Sequence, residues 1–184
     1  MKIFKRLTIL SALTILGFNA HAQDTRTDNH TITIIVPDIA ILDLETGASK
    51  NFSATFASTK EAGDKVVLPA ANTDLWLNYS SIIPSSIDSR RVDVKASALV
   101  PGVDISVEAG AASTGFGTKG SPMAALILTT SDQPIVNKIG SAYTVSGAKY
   151  GHLLTYSFAT LDANYANLRA ASTPITVTYT LVDN

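Results

Sequence analysis

Six glycine-spaced residues, Gly115-Phe-Gly-Thr-Lys-Gly120, match G-x-G-x-x-G, the spacing that lets a backbone approach a dinucleotide pyrophosphate. That chemistry needs a following helix whose first N–H groups face the phosphates, and Ser121-Pro122 leads instead into an apolar, strand-like run. The segment therefore reads as a loop. Zinc chemistry needs three or four ligands, and beyond residue 22 the chain offers two histidines, His30 and His152, and no cysteine. Asp43 and Glu45, two apart on one strand face, are close enough to raise one another's pKa, yet no general-acid partner is evident and a solvated strand end accounts for them. Asp162-Ala-Asn164 is a fragment of a calcium loop, and G-x-S-x-G is absent. No catalytic residue, cofactor or metal site is assigned, and the chain is not expected to be an enzyme.

The elements that would carry any site are short alternating runs. Pro174–Asp183 puts Ile175, Val177, Tyr179 and Leu181 on one face with threonines between them, a period of two that marks a strand with one dry side. His30–Val36 repeats the pattern: Ile32, Ile34 and Val36 oppose Thr31, Thr33 and Ile35. Ile39–Leu44 is apolar on both faces, so it lies under a loop or meets another chain. Further runs are Lys50–Phe56, Val66–Leu68, Asp74–Ile83, Arg91–Leu99, Val103–Val107, Met123–Thr130, Pro134–Ile139, Tyr143–Val145 and Leu153–Ala159. Val100-Pro101-Gly102 predicts a tight turn pairing the Arg91 and Val103 runs as a hairpin. Trp76, the only tryptophan, is expected to fill the space between sheets. Gly110–Pro122 reads as a long glycine-rich loop, and Leu161, Tyr165 and Leu168 behind Asp162 as one helical turn capped by that aspartate. About ten short strands and no long helical pattern predict an all-β fold, an antiparallel immunoglobulin-like β-sandwich forming a single domain over residues 23–184.

The chain's start differs from the rest. Lys2, Lys5 and Arg6 precede the apolar run Leu7–Phe18 and the small-residue ending Asn19-Ala-His-Ala22, the pattern of a signal peptide spanning 1–22. Its apolar run is too short to span a bilayer, so no transmembrane segment is expected after cleavage. Three of the 14 basic residues and none of the 15 acidic ones fall in it, which leaves an acidic remainder and argues against nucleic acid as a partner. The protein has no cysteine, so no disulfide holds it together and stability must come from burial. The expected location is outside the cytoplasm: periplasm, cell surface or medium.

An alternating strand near the mature N-terminus (Thr31–Val36), a second at the C-terminus (Ile175–Leu181) and a signal peptide together resemble the subunits of bacterial surface fibres and related coat proteins. The resemblance implies a pilin-like, fimbrial sandwich that lacks a strand and receives it from the N-terminal segment of another copy by β-strand addition, with a secretion chaperone as a further partner. It makes Ile32, Ile34 and Val36 the donor side chains and Tyr179 with Leu181 part of the acceptor. Two departures are that the disulfide of many pilins is missing and that Tyr179 lies six residues from the end, further in than such subunits often place an aromatic. The other expectation is a self-complete binding module for cell adhesion. Its loops would recognise a glycan or surface protein on an aromatic platform of Trp76, Phe116, Tyr143 and Tyr150.

Overall fold

The computed structural model describes residues 26–184; the signal-peptide expectation for residues 1–22 lies outside them. The chain divides between Ile35 and Val36, and the two parts are described separately. Residues 27–35 carry no strand and no helix, and their side chains are exposed.

The second part is almost entirely antiparallel β-structure, as its alternating runs require. Nine strands form it among the described residues: β1 (Ile39–Thr46), β2 (Asn72–Ile82), β3 (Arg90–Ala96), β4 (Asp104–Ala109), β5 (Phe116–Pro122), β6 (Leu126–Ile127), β7 (Gln133–Tyr143), β8 (His152–Ala159) and β9 (Val177–Asp183). The pairing order is β6-β4-β8-β2-β7-β3-β9, with β1 on β2 and β5 on β7. Strand β7 belongs to two groups. Its first half pairs with β3, and Ala142 and Tyr143 pair with Ser81 and Ser80 of β2. Between these halves Lys138 takes a left-handed φ of 58° and the β3 register shifts, the signature of a bulge that bends a strand from one layer toward the other.

Alternation then fills the interior. Leu75, Leu77 and Tyr79 of β2 meet Val92 and Val94 of β3, Ile135 and Ile139 of β7, and Leu154 and Tyr156 of β8, all buried. Because three alternate β2 residues face inward, Trp76 faces the other way. It is half-buried beside Glu45 and Leu153, not between layers as expected. The final strand begins at Val177, three residues later than expected, and keeps the expected alternation: Tyr179 is buried, Val177 and Leu181 are half-buried, and Thr178 and Thr180 face out.

Several sequence expectations are corrected. His30–Val36 is not a strand. Lys50–Phe56 and Val66–Leu68 form no strands; only the isolated bridge between Ala57 and Val67 joins that region. The Val103 run is not the hairpin partner of the Arg91 run. The turn forms, with Val103 N–H donating to Val100 O and Gly102 at φ +80°, but β4 leaves it to pair with β8 and β6 while β7 and β9 flank β3. Met123–Thr130 shrinks to the two residues of β6, and the Pro134 and Tyr143 runs are one strand, β7. Asp162–Asn167 is a 3-10 turn whose N-cap is Leu161, with no side-chain capping bond, so Asp162 is not the cap.

The glycine-rich loop is corrected too, since its second half is β5. Gly115 and Gly117 have φ of +80° and +89°, and a Cβ there would lie 1.8 Å from the Tyr143 carbonyl oxygen and 2.2 Å from that of Ser141. These glycines let one backbone lie against another. The spacing that mimics a dinucleotide fingerprint is a packing requirement of β5 on β7.

Candidate assembly surface

Four strands have one pairing neighbour each among the described residues, β5 on β7, β6 on β4, β1 on β2 and β9 on β3, and of these β1 and β9 come together where the first begins and the second ends. Each of these two turns apolar side chains toward the core without fully covering them. Leu42 and Leu44 of β1, and Val177 and Leu181 of β9, are packed against the buried cluster yet only half-buried. On its other face β1 presents Ile41, 64% exposed. An edge strand with unpaired backbone groups and half-covered leucines invites another strand. Of the two alternatives for this doubly apolar run, cover by a loop does not hold at Ile41, which no described residue covers.

One end of this pair of edges is fixed by Arg90 at the start of β3. Its side chain is 2% exposed and donates to five acceptors. Nε binds Asp183 Oδ1 at 2.7 Å, a terminal nitrogen binds Asp38 Oδ1 at 2.6 Å, and the other binds the carbonyl oxygens of Ile39 and Ile82 and Ser81 Oγ. The Asp38 hydrogen bond is the largest influence holding the guanidinium above its ordinary pKa, acting against its own desolvation, with Asp183 adding to it. The start of β1, the end of β2 and the end of β9 are thereby tied to one cation. A planar five-donor head suits this junction, which a lysine could not reproduce.

The other polar groups singled out in the sequence serve the fold. His152 is fully buried: Nδ1 donates to Gly110 O at 2.7 Å, and Nε2 lies 3.0 Å from the Tyr79 hydroxyl, which also approaches Lys119 O. Burial pushes this imidazole below its usual pKa, against the raising effect of the two backbone carbonyls, and burial likewise raises the Tyr79 hydroxyl. Asp43 pairs with Lys50 at 2.9 Å, and that hydrogen bond lowers its carboxyl pKa, the opposite of the rise expected for Asp43. Among the described residues no group of three or more His, Cys, Asp or Glu converges on a point, and no helix is long and apolar enough to cross a membrane.

The predicted donor side chains carry no strand and stand exposed: Ile32 71%, Ile34 82% and Val36 66%, with Ile35 at 86%. Of the predicted acceptor residues, Leu181 lies on the open edge. Tyr179 is committed to the core, where its hydroxyl meets that of Tyr156 at 2.7 Å. Of the predicted platform, Phe116 and Tyr143 come together on adjacent strands with ring centroids 6.2 Å apart and tilted by 49°. Trp76 and Tyr150 form no ring contact with them. Sequence reasoning missed Arg90, whose only signal was that it opens the Arg91 run, and Leu42 with Leu44, whose signal was the doubly apolar pattern itself. The chain matches no protein-family model, no curated protein and no solved structure.

Proposed function

We propose that this protein is an exported structural subunit that assembles with copies of itself by β-strand addition, residues 30–36 of one copy entering between β1 and β9 of another. The observation that carries this reading is the pairing of an alternating apolar segment that has no strand partner with two edges whose core-facing leucines are half covered. Ile32, Ile34 and Val36 then meet Leu42, Leu44, Val177 and Leu181. Magnitudes favour a donor that bonds on both sides. Burying three Ile or Val side chains contributes roughly 5–9 kcal/mol, while fixing seven backbones costs about 7–14 kcal/mol. Apolar contact alone falls short, and a ladder of hydrogen bonds to both edges, at about 1 kcal/mol each, makes up the difference.

The second reading, a binding module for a glycan or surface protein, draws on the exposure of Phe116 (75%), Tyr143 (48%) and Tyr150 (41%). It ranks below the first because it leaves the exposed isoleucines without a role. A variant carrying a second copy of residues 30–36 after Asn184, on a flexible linker, tests the first reading. It is expected to stay monomeric and unfold at a higher denaturant concentration, while the unaltered protein polymerises. An unaltered protein that stays monomeric at high concentration, or polymers that persist when residues 30–36 are deleted, overturns the proposal.

A further inference from the structure

Ile39, the first residue of β1, lines a cleft of about 380 Å³ together with Ser80, Ile82, Phe116, Gly117 and Tyr143. The walls are mostly apolar, and Phe116 is the most exposed aromatic among the large hydrophobic residues. This cleft sits at the root of the proposed donor. Val36 precedes Ile39 by three residues, a distance of at most about 11 Å along the chain. Neither residue between them gives slack: Pro37 has a fixed φ, and Asp38 is bound to Arg90. A copy that takes up Val36 must therefore bring its own surface against the cleft.

The end of the receiving copy that does so follows from the same arginine. Arg90 ties Asp38 and Ile39 to Asp183 and so joins β1 to β9 at that end, which leaves the opposite end for the root of a donor entering between them. There β9 begins, with Val177 opposite Ala96 and Ser97 N–H bonded to Thr176 O, and the turn that follows exposes Leu99 at 57%. The same turn lies close to the 3-10 segment at Gly102, where a Cβ would meet Leu168 and Asn164, and that segment is preceded by Leu161, 53% exposed.

We propose that the Phe116–Tyr143 cleft of one copy seats the Leu99 and Leu161 end of the copy that receives its arm, a second contact that sets the angle between successive subunits. The inference rests on the strand-donation reading, and its occupant is a second copy of this chain. Apolar surface meets apolar surface, and the short root leaves the two bodies little freedom to pivot.

Because the chain has no cysteine, any disulfide in a variant is an introduced one. The full chain is produced with Phe116→Cys and either Leu99→Cys or Leu161→Cys, and its polymers are mildly oxidised. A ladder of covalent multimers from at least one pair, lost when residues 30–36 are deleted, is expected. The variant Phe116→Ser/Tyr143→Ser is expected still to polymerise, with a persistence length in electron micrographs several-fold shorter. Arm-dependent polymers that give no ladder with either pair and keep their stiffness in the serine variant overturn the cleft contact and leave strand donation standing. Polymers that do not depend on the arm overturn both. Retention of the protein on immobilised monosaccharides, lost in the serine variant while fibre stiffness is unchanged, assigns the cleft to a glycan and overturns the contact.

Discussion

Residues 30–36 and residues 175–181 carry the same code, an apolar side chain at every second position with threonines among the residues between, and they end in opposite environments. In β9 Tyr179 is buried and Val177 and Leu181 lean on the core, whereas Ile32, Ile34 and Val36 are exposed and unpaired. The difference is not in the side chains. β9 has β3 beside it over seven residue pairs, from Arg90 with Asp183 to Ala96 with Val177. A strand is half of a bond. Period-two alternation says which face is to be dry, and only a neighbouring edge makes it dry.

The contrast breaks most severely at Arg90, which holds the end of β9 and the residue two beyond Val36. Arg90→Ala leaves the Ser81 hydroxyl and the Ile39 and Ile82 carbonyls without their cation and two carboxylates, each half in water, without their counter-ion. A loss of about 2–3 kcal/mol in unfolding free energy is expected, below the full cost of opening a buried pair because the acids are accessible. Chemical denaturation of the monomer measures it, and a midpoint equal to the parent's would show that β9 is held by its ladder alone.

A smaller effect is expected from acid. The unfolded chain's imidazole takes up a proton near its usual pKa, whereas the buried His152 resists one, so the unfolded state binds more protons and stability falls as pH drops. Its contribution is fully present above about pH 6.5 and is lost on the way down toward the depressed folded value, at a slope of up to about 1.4 kcal/mol per pH unit. His152→Gln is expected to flatten this limb of the stability curve. The histidine that was one of too few for a zinc site thus couples the fold-bearing part of the chain to pH.

Tyr179→Phe sharpens the account of β9. It deletes one hydroxyl and leaves the buried Tyr156 hydroxyl without its 2.7 Å partner, an expected cost of about 1 kcal/mol. If the cost is nil, Tyr179 is a groove floor waiting for a donor and not a finished core residue, and the difference between β9 and the arm narrows.

How much of this was legible beforehand depended on whether a residue's role is set by its neighbours in sequence or in space. The all-β class, the core faces of β3, β8 and β9 and the turn at Pro101 follow from periodicity and turn chemistry, which are local. Pairing is not local. Val103 follows a tight turn as a hairpin partner would, yet β4 joins β8, a choice made by which edges are free once β7 and β9 have claimed β3. The glycines of β5 looked like mobility because their true constraint, the Tyr143 and Ser141 carbonyls, lies some 25 residues on. Arg90 drew no attention, since nothing nearby in sequence announces Asp38 or Asp183. Trp76 misled for a different reason: its size suggested a core anchor, but Leu75, Leu77 and Tyr79 had already taken the inner face.

The smallest effect on folding is expected where the effect on assembly is greatest. Ile34 is 82% exposed, so Ile34→Ser removes almost no buried surface and is expected to change the unfolding free energy of the monomer by less than about 0.5 kcal/mol. The matching change in β9, Leu181→Ser, removes a half-buried side chain packed against the core and is expected to cost about 1–2 kcal/mol. Assembly is expected to invert the ranking: Ile34→Ser deprives the donor of its central anchor and leaves monomers by light scattering, because the apolar contacts and the hydrogen-bond ladder together only just offset the cost of ordering the arm. A monomer destabilised equally by both substitutions would mean that residues 30–36 already pair within their own copy, and the distinction between a strand that has its edge and a strand that must find one would disappear.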